Sequence, residues 1–96
     1  MMQQIPQVIE AGARVRSAGF NVLAANCRGN YAHYWHIRVF CNTSLSRDYT
    51  PERKTEETRL LGILRGAGIP LIFDFIRTGE FKHGANTIID VRMEKN

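Results

Sequence analysis

An internal duplication constrains the fold of this 96-residue chain more than any other feature of the sequence. Arg16-Ser17-Ala18-Gly19-Phe20 parallels Arg65-Gly66-Ala67-Gly68-Ile69 at an offset of 49 residues, and Ile37-Arg38-Val39 aligns with Val91-Arg92-Met93 after five more loop residues. Matching segments at a fixed offset indicate two copies of one supersecondary unit. We therefore predict a single domain, residues 1–96, with pseudo-repeats over residues 5–41 and 51–93.

The first repeat has the pattern of one helix followed by two strands. Pro6 at a first helical position, and apolar residues at three- and four-residue steps after it, predict an amphipathic helix that ends at Gly19. Residues 20–28 and 32–41 are rich in aromatic and β-branched residues, and they flank a Gly29-Asn30 turn. They are predicted to form a hairpin.

The second repeat has the same pattern. Thr50, Pro51 and Glu52 are typical of a helix start, with Thr50 as the cap and the acidic residue in the first turn. The predicted helix ends at Gly66. Residues 69–77 and 87–93 are predicted to form the second pair of strands, joined by a longer turn.

Two such units predict an α+β fold in two layers. Both helices can bury their apolar stripes on one face of a four-stranded antiparallel sheet. The resulting αββαββ order follows from the ferredoxin-like βαββαβ order when the first strand moves to the end, so we predict a permuted ferredoxin-like fold with the second and fourth strands central. A sheet that is swapped with, or completed by, a second copy of the chain is the alternative.

Strand alternation divides the predicted sheet into a core face and an open face. Trp35, Ile37 and Val39 are expected to face the helices, because successive side chains in a strand point to opposite sides. Aromatic and charged residues of the second strand alternate with them, and the repeat adds three residues of the fourth strand. The residues expected on the open face are Tyr34, His36, Arg38, Phe40, Ile88, Asp90 and Arg92, together with the apolar Leu23, Ile72 and Ile76.

Charge is unevenly distributed along the chain. The formal net charge is +4, and residues 11–54 hold seven basic and two acidic side chains, whereas residues 55–96 hold six of each. Ten of the thirteen basic residues are Arg, whose planar guanidinium binds phosphate in a two-pronged manner and stacks on rings. This bias mildly favours a recognition surface in the first half of the chain.

An antiparallel sheet whose open face carries aromatic and Arg side chains can stack unpaired bases and neutralise phosphates. We therefore expect a non-enzymatic accessory or regulatory protein that binds nucleic acid, with RNA or a single strand preferred. A polar loop that includes Tyr49, Arg53 and Lys54 is a second candidate phosphate contact. The residues predicted to bind are Arg28, Tyr34, His36, Arg38, Phe40, Arg47 and Arg92.

The same face supports two other interpretations. Its apolar residues could pack against a second copy, which predicts a homodimer. They could also bind another protein, as an inhibitor or adaptor that blocks a host protein complex in the manner of a phage or mobile-element accessory factor.

Catalysis, metal binding and cofactor binding are not expected. His36, Asp74 and Asp90 could share the open face, but the chain has no Ser-His-Asp, Cys-His or phosphate-loop pattern, and an ion-pair role explains the carboxylates. Cys27 and Cys41 are interpreted as buried, free thiols, because a hairpin places them at opposite ends of a strand pair. Their spacing to His33 and His36 is not that of a zinc finger.

The N-terminal residues are polar and no apolar run approaches a membrane span, so a cytoplasmic location is expected.

Overall fold

The computed structural model describes residues 5–43, 50–65 and 71–95, with backbone only for residues 64–65 and 71–75. Two helices, four strands and one short 3₁₀ turn make up these residues. In chain order the elements are α1 (Pro6–Ser17), β1 (Val22–Asn30), β2 (Tyr34–Cys41), α2 (Pro51–Arg65), β3 (Leu71–Thr78), the 3₁₀ turn (Lys82–Gly84) and β4 (Thr87–Glu94).

Both helices begin where the sequence predicted. Pro6 occupies the first position of α1, and the backbone N–H of Arg53 donates to Thr50 Oγ1 at 3.2 Å, which confirms the predicted cap of α2. α1 ends before Gly19, whose φ of +96° lies in the left-handed region that terminates helices. Within the described residues, neither helix has the length and apolar character needed to cross a membrane.

The four strands form one antiparallel sheet in the order β1-β2-β4-β3. This confirms the α+β class and the central position of β2 and β4. Val15 of α1, Leu60 of α2 and Ile37 of β2 belong to one buried cluster, so both helices pack on the same face of the sheet. The strand order agrees with a permuted ferredoxin-like arrangement, and that relationship stays a prediction.

The central strands pair with a register that matches the internal duplication. Ile37 is opposite Val91, the residue with which the sequence repeat aligns it. Arg38 is opposite Asp90, and His36 is opposite Arg92. A twofold rotation through the Ile37–Val91 pair would exchange these last two pairs, so the register supports the predicted pseudo-repeat.

A β-bulge in β3 changes which residues face the core. Phe73 pairs with Val91 but Phe75 pairs with Asp90, so one residue is extra on the β3 side. The alternation inverts beyond this point, and Ile76 pairs with Ile89 and is 5% exposed within the core. The prediction that Ile76 lies on the open face is therefore wrong.

The two cysteines are far apart and free. Cys41 lies in the core opposite Val22, whereas Cys27 is opposite Ile37, four residues along β2. The prediction of free thiols is confirmed, but the interpretation of both as buried is wrong. Cys27 is exposed because β1 is an edge strand with register shifts on each side of residues 24–27.

Candidate nucleic-acid interface

The open face, defined as the side of the sheet opposite α1 and α2, brings together most of the predicted binding residues. Tyr34, His36, Arg38 and Phe40 alternate along β2, and each is half-buried. Their β4 neighbours Ile88, Asp90 and Arg92 complete a continuous surface. Ile88 and Asp90 are buried, at 3% and 1% exposure, so the predicted open face is less apolar at its surface than expected.

Three charged or titratable side chains meet at the centre of the open face. Arg38 Nε donates to Asp90 Oδ1 at 2.8 Å, and His36 Nε2 lies 3.3 Å from the same oxygen. Asp90 Oδ2 is buried and has no hydrogen-bond partner among the described residues. A buried carboxylate of this kind requires a cationic partner, so Arg38 holds a structural ion pair as well as presenting a cation.

The aromatic end of the open face consists of Tyr31, Tyr34 and Arg92. The rings of Tyr31 and Tyr34 stack with centroids 4.8 Å apart and planes inclined by 24°, and the Arg92 guanidinium carbon lies 5.2 Å from the Tyr34 centroid. A Cβ on Gly29 would lie only 2.4 Å from the Tyr31 ring, so the glycine allows the ring to fold over the strand. Tyr31 is 48% exposed and can offer a stacking surface.

The opposite end of the open face carries an apolar groove of about 580 Å³. The turn between β3 and β4 forms one wall, and β1, β2 and β4 form the floor. The residues that define it here are Leu23, Phe40, Phe81, Lys82, His83 and Ile88. His83 has a left-handed backbone, with φ of 62° and ψ of 28°, and Gly84 follows with φ of 82°.

Several residues of this surface were not predicted. Tyr31 falls between the predicted strands of the first hairpin, Phe81 and Lys82 fall in the longer connection, and no face was predicted for Arg77. The β3 bulge puts Arg77 opposite Ile88, where its guanidinium carbon lies 6.0 Å from the Phe81 ring centroid. An aromatic residue two positions after Gly29 was the available signal for Tyr31.

The other three candidate cations have different outcomes. Arg28 is exposed on β1 at a register shift, and Arg47 lies outside the described residues. Arg53 is 3% exposed and donates to Glu57 Oε1 at 2.8 Å and to the Ile76 carbonyl at 3.1 Å. The interpretation of Arg53 as a phosphate contact is therefore wrong, because its guanidinium is bound within the fold.

Of the three residues considered for catalysis, the structure brings His36 and Asp90 together. Asp74 falls at the β3 bulge, between two residues that pair with Val91 and Asp90, and its side chain lies outside the described residues. Over the described ranges, no three His, Cys, Asp or Glu side chains are grouped so as to hold a metal ion.

No family model, curated protein or solved structure matches this chain.

Proposed function

We propose that this chain is a non-enzymatic accessory or regulatory protein that binds single-stranded or structured RNA, or single-stranded DNA, across its open face. The observation that carries the proposal is the cluster of Tyr31, Tyr34 and Arg92 at one end of the open face, together with the half-buried cation Arg38 at its centre. Exposed rings stack on unpaired bases of any sequence, and guanidinium groups nearby neutralise the phosphates. Residues 34–40 of β2 extend for roughly 20 Å, enough for a few nucleotides.

The charge of the open face supports an anionic partner. Arg38, Arg92 and, by its register opposite Ile88, Arg77 lie on this side, and the acidic residues beside them are Asp90 and the exposed Glu94, which is opposite Tyr34. Asp90 is 1% exposed and bound to Arg38, so its charge is largely compensated. Arg38 contacts Asp90 through Nε, so the outer edge of its guanidinium is left to bind a ligand. The Arg38 side chain is 20% exposed.

The helices support a single strand in preference to duplex DNA. A helix that reads the major groove presents basic and polar side chains to base edges and phosphates. The charges of α2 are mixed: Glu56 is paired with Arg59 at 2.9 Å, Glu57 is paired with Arg53 at 2.8 Å, and Glu52 and Lys54 are both exposed. The described part of α2 therefore lacks the basic stripe with which a helix binds a duplex.

Binding of a labelled single-stranded oligouridylate, measured by fluorescence anisotropy, tests the proposal at the aromatic end. Tyr31→Ala removes an exposed ring and should weaken binding about 5-fold or more, because stacking of one base contributes about 1 to 3 kcal/mol. Ile9→Ala is the matched control, since Ile9 is 58% exposed on α1, away from the open face. Equal affinity for both variants would contradict the proposed interface.

A second pair of variants tests the charge. Arg38→Gln should weaken binding about tenfold, whereas Lys54→Gln, which removes an exposed cation from α2, should have little effect. Lys95, another lysine, is a poor control because its Nζ lies 4.0 Å from the Trp35 ring centroid, so its removal would also change a contact within the fold. Far-ultraviolet circular dichroism must show that each variant is folded at the temperature of the binding experiment.

Protein binding is the second candidate, and the apolar groove favours it. An inhibitor or adaptor of a host protein complex would use Leu23 and Phe40 as anchors, and a homodimer could cover the same residues. Affinity purification with and without nuclease separates the classes: a stoichiometric protein complex that survives nuclease would support the second candidate. If light scattering shows that the wild type is a dimer and that Leu23→Glu is a monomer, the groove is a self-association surface.

A further inference from the structure

The geometry points to the apolar groove as the binding site for one unpaired base of a single strand, with the adjoining phosphate held by Lys82 and His83. This inference rests on the proposed function and names a subsite for it. The subsite itself is separate from the aromatic end, which lies at the other end of β2.

The walls of the groove suit a planar aromatic ligand. Leu23, Phe40 and Ile88 form an apolar floor, and the Phe81 ring stands beside it on the β3–β4 turn. Leu23 is 42% exposed and Phe40 and Phe81 are half-buried, so apolar surface remains for a ligand to cover. The volume, about 580 Å³, lies in the range of sites that hold small molecules.

The rim of the groove has one cationic side chain and one imidazole. Lys82 and His83 are both exposed at its edge, and no acidic residue lines the groove within the described part of the chain. The Arg77 guanidinium carbon lies 6.0 Å from the Phe81 ring centroid, which adds positive charge to the same wall. An apolar slot with a cationic rim is complementary to a base attached to a phosphate.

The backbone of the rim is held in an unusual conformation. His83 has φ of 62°, a region that residues other than glycine seldom occupy. The carbonyl of Ala85 accepts from the backbone N–H of Phe81 at 3.0 Å, and the N–H of Gly79 donates to the Asn86 carbonyl at 3.1 Å, so the turn is tied at both ends. These bonds hold Phe81, Lys82 and His83 in one fixed arrangement beside the floor.

A single strand, in preference to a free nucleotide, follows from the continuity of the surface. The groove begins at Phe40, and Arg38, His36 and Tyr34 continue from it along β2 towards Tyr31. A nucleic-acid strand with one base in the groove would therefore place its neighbouring phosphates over Arg38. Its next bases would lie near the rings of Tyr31 and Tyr34 at the aromatic end.

Cross-linking of an oligouridylate hexamer that contains 4-thiouridine, followed by mass spectrometry, tests the assignment together with affinities of variants. We expect cross-links at Leu23 or in residues 81–83, and Phe81→Ala should weaken hexamer binding about 5- to 150-fold. Leu23→Ser should weaken it in the same direction, and the matched Ile9→Ala should not. Leu23 and Phe81 are accessible enough for both variants to keep the fold, which a thermal melt checks.

The other outcomes contradict the assignment in distinguishable ways. A hexamer that binds the wild type and both groove variants equally, with cross-links confined to other residues, would overturn the groove as a base site but leave the proposed function intact. If uridine monophosphate binds as tightly as the hexamer, the groove is a nucleotide site and the single-strand assignment is wrong. If no hexamer binds at low salt, the proposed function fails as well.

Discussion

At the scale of single residues, the least expected feature is the burial of Asp90 on a face that no described helix covers. Its carboxylate is 1% exposed and depends on Arg38 and His36 for compensation. Alternation correctly placed all three residues on the same side of the sheet. Alternation could not show that Asp90 is buried or that Arg38 is partly used to bind it. Burial depends on neighbouring strands and on packing, and the sequence pattern does not contain either.

Removing Arg38 should destabilise the protein through Asp90. Arg38→Ala leaves a buried carboxylate with only His36 beside it, and we expect a loss of about 3 kcal/mol in the free energy of unfolding. The double variant Arg38→Ala/Asp90→Asn should be more stable than the sum of the single losses, since the uncompensated charge is gone. Urea unfolding measures all three, and strictly additive losses would show that the pair is not coupled.

The two thiols should differ sharply in reactivity. Burial raises the pKa of the Cys41 thiol to about 12, whereas Cys27 is exposed on β1. At pH 8 iodoacetamide should therefore modify Cys27 alone in the folded protein and both residues after unfolding. Intact mass at each stage measures this, and rapid modification of Cys41 in the folded state would contradict the placement of β2.

The same burial links stability to alkaline pH. The folded state keeps the Cys41 proton up to a pKa of about 12, while the unfolded chain loses it near the ordinary thiol pKa of 9.0. Above pH 9 the unfolded state binds fewer protons, so this group makes stability fall as pH rises from about 9 towards 12. Cys41→Ser, which has no group titrating in this window, is the comparison.

At the scale of elements, the sequence predicted the two helices, the two hairpins and their order to within a few residues. Helix ends were read from Pro6, Thr50 and Gly19, whose local chemistry sets the boundary wherever it occurs. The β-bulges were missed, because a bulge inserts one residue without leaving a period-2 signature. One bulge in β3 was enough to move Ile76 from its predicted place on the open face to the core, and it puts Arg77 opposite Ile88.

The faces of Ile76 and Arg77 beyond the bulge can be tested by truncating each side chain. Ile76 is 5% exposed in the core, so Ile76→Ala should lower the free energy of unfolding by about 2 to 4 kcal/mol. Arg77→Ala at the next position is exposed and should cost less than about 1 kcal/mol. Chemical denaturation compares the two. The reverse order of costs would place the bulge elsewhere in β3.

Two glycines with open space around them should respond oppositely to the same substitution. Among the described residues, no neighbouring atom lies within 4 Å of a Cβ built on Gly62 or Gly84, so packing plays little part at either site. Gly62 is inside α2, and Gly62→Ala should stabilise by about 0.5 to 1 kcal/mol. Gly84 has φ of 82°, and Gly84→Ala should destabilise by about 1 kcal/mol. Thermal unfolding gives both, and equal signs would contradict the turn geometry.

At the scale of the whole molecule, the sheet separates two surfaces of different chemistry. The helix layer exposes acidic and basic side chains of α2, and the open face carries rings, guanidinium groups and the apolar groove. The duplication predicted the layers and the central strands. It did not predict the groove, because the wall formed by Phe81 and Lys82 belongs to the β3–β4 turn, which has no counterpart in the short turn of the first repeat.

Salt dependence of oligonucleotide binding tests the central claim most directly. We expect a labelled single-stranded oligouridylate to bind the wild-type protein at low salt and to lose about 7- to 20-fold in affinity between 50 and 200 mM salt, as two to three phosphate contacts predict. A duplex of equal length should bind more weakly. Absence of any anisotropy change with single-stranded RNA or DNA at low salt would contradict nucleic-acid binding by the open face. Protein binding would then be the better proposal for this face.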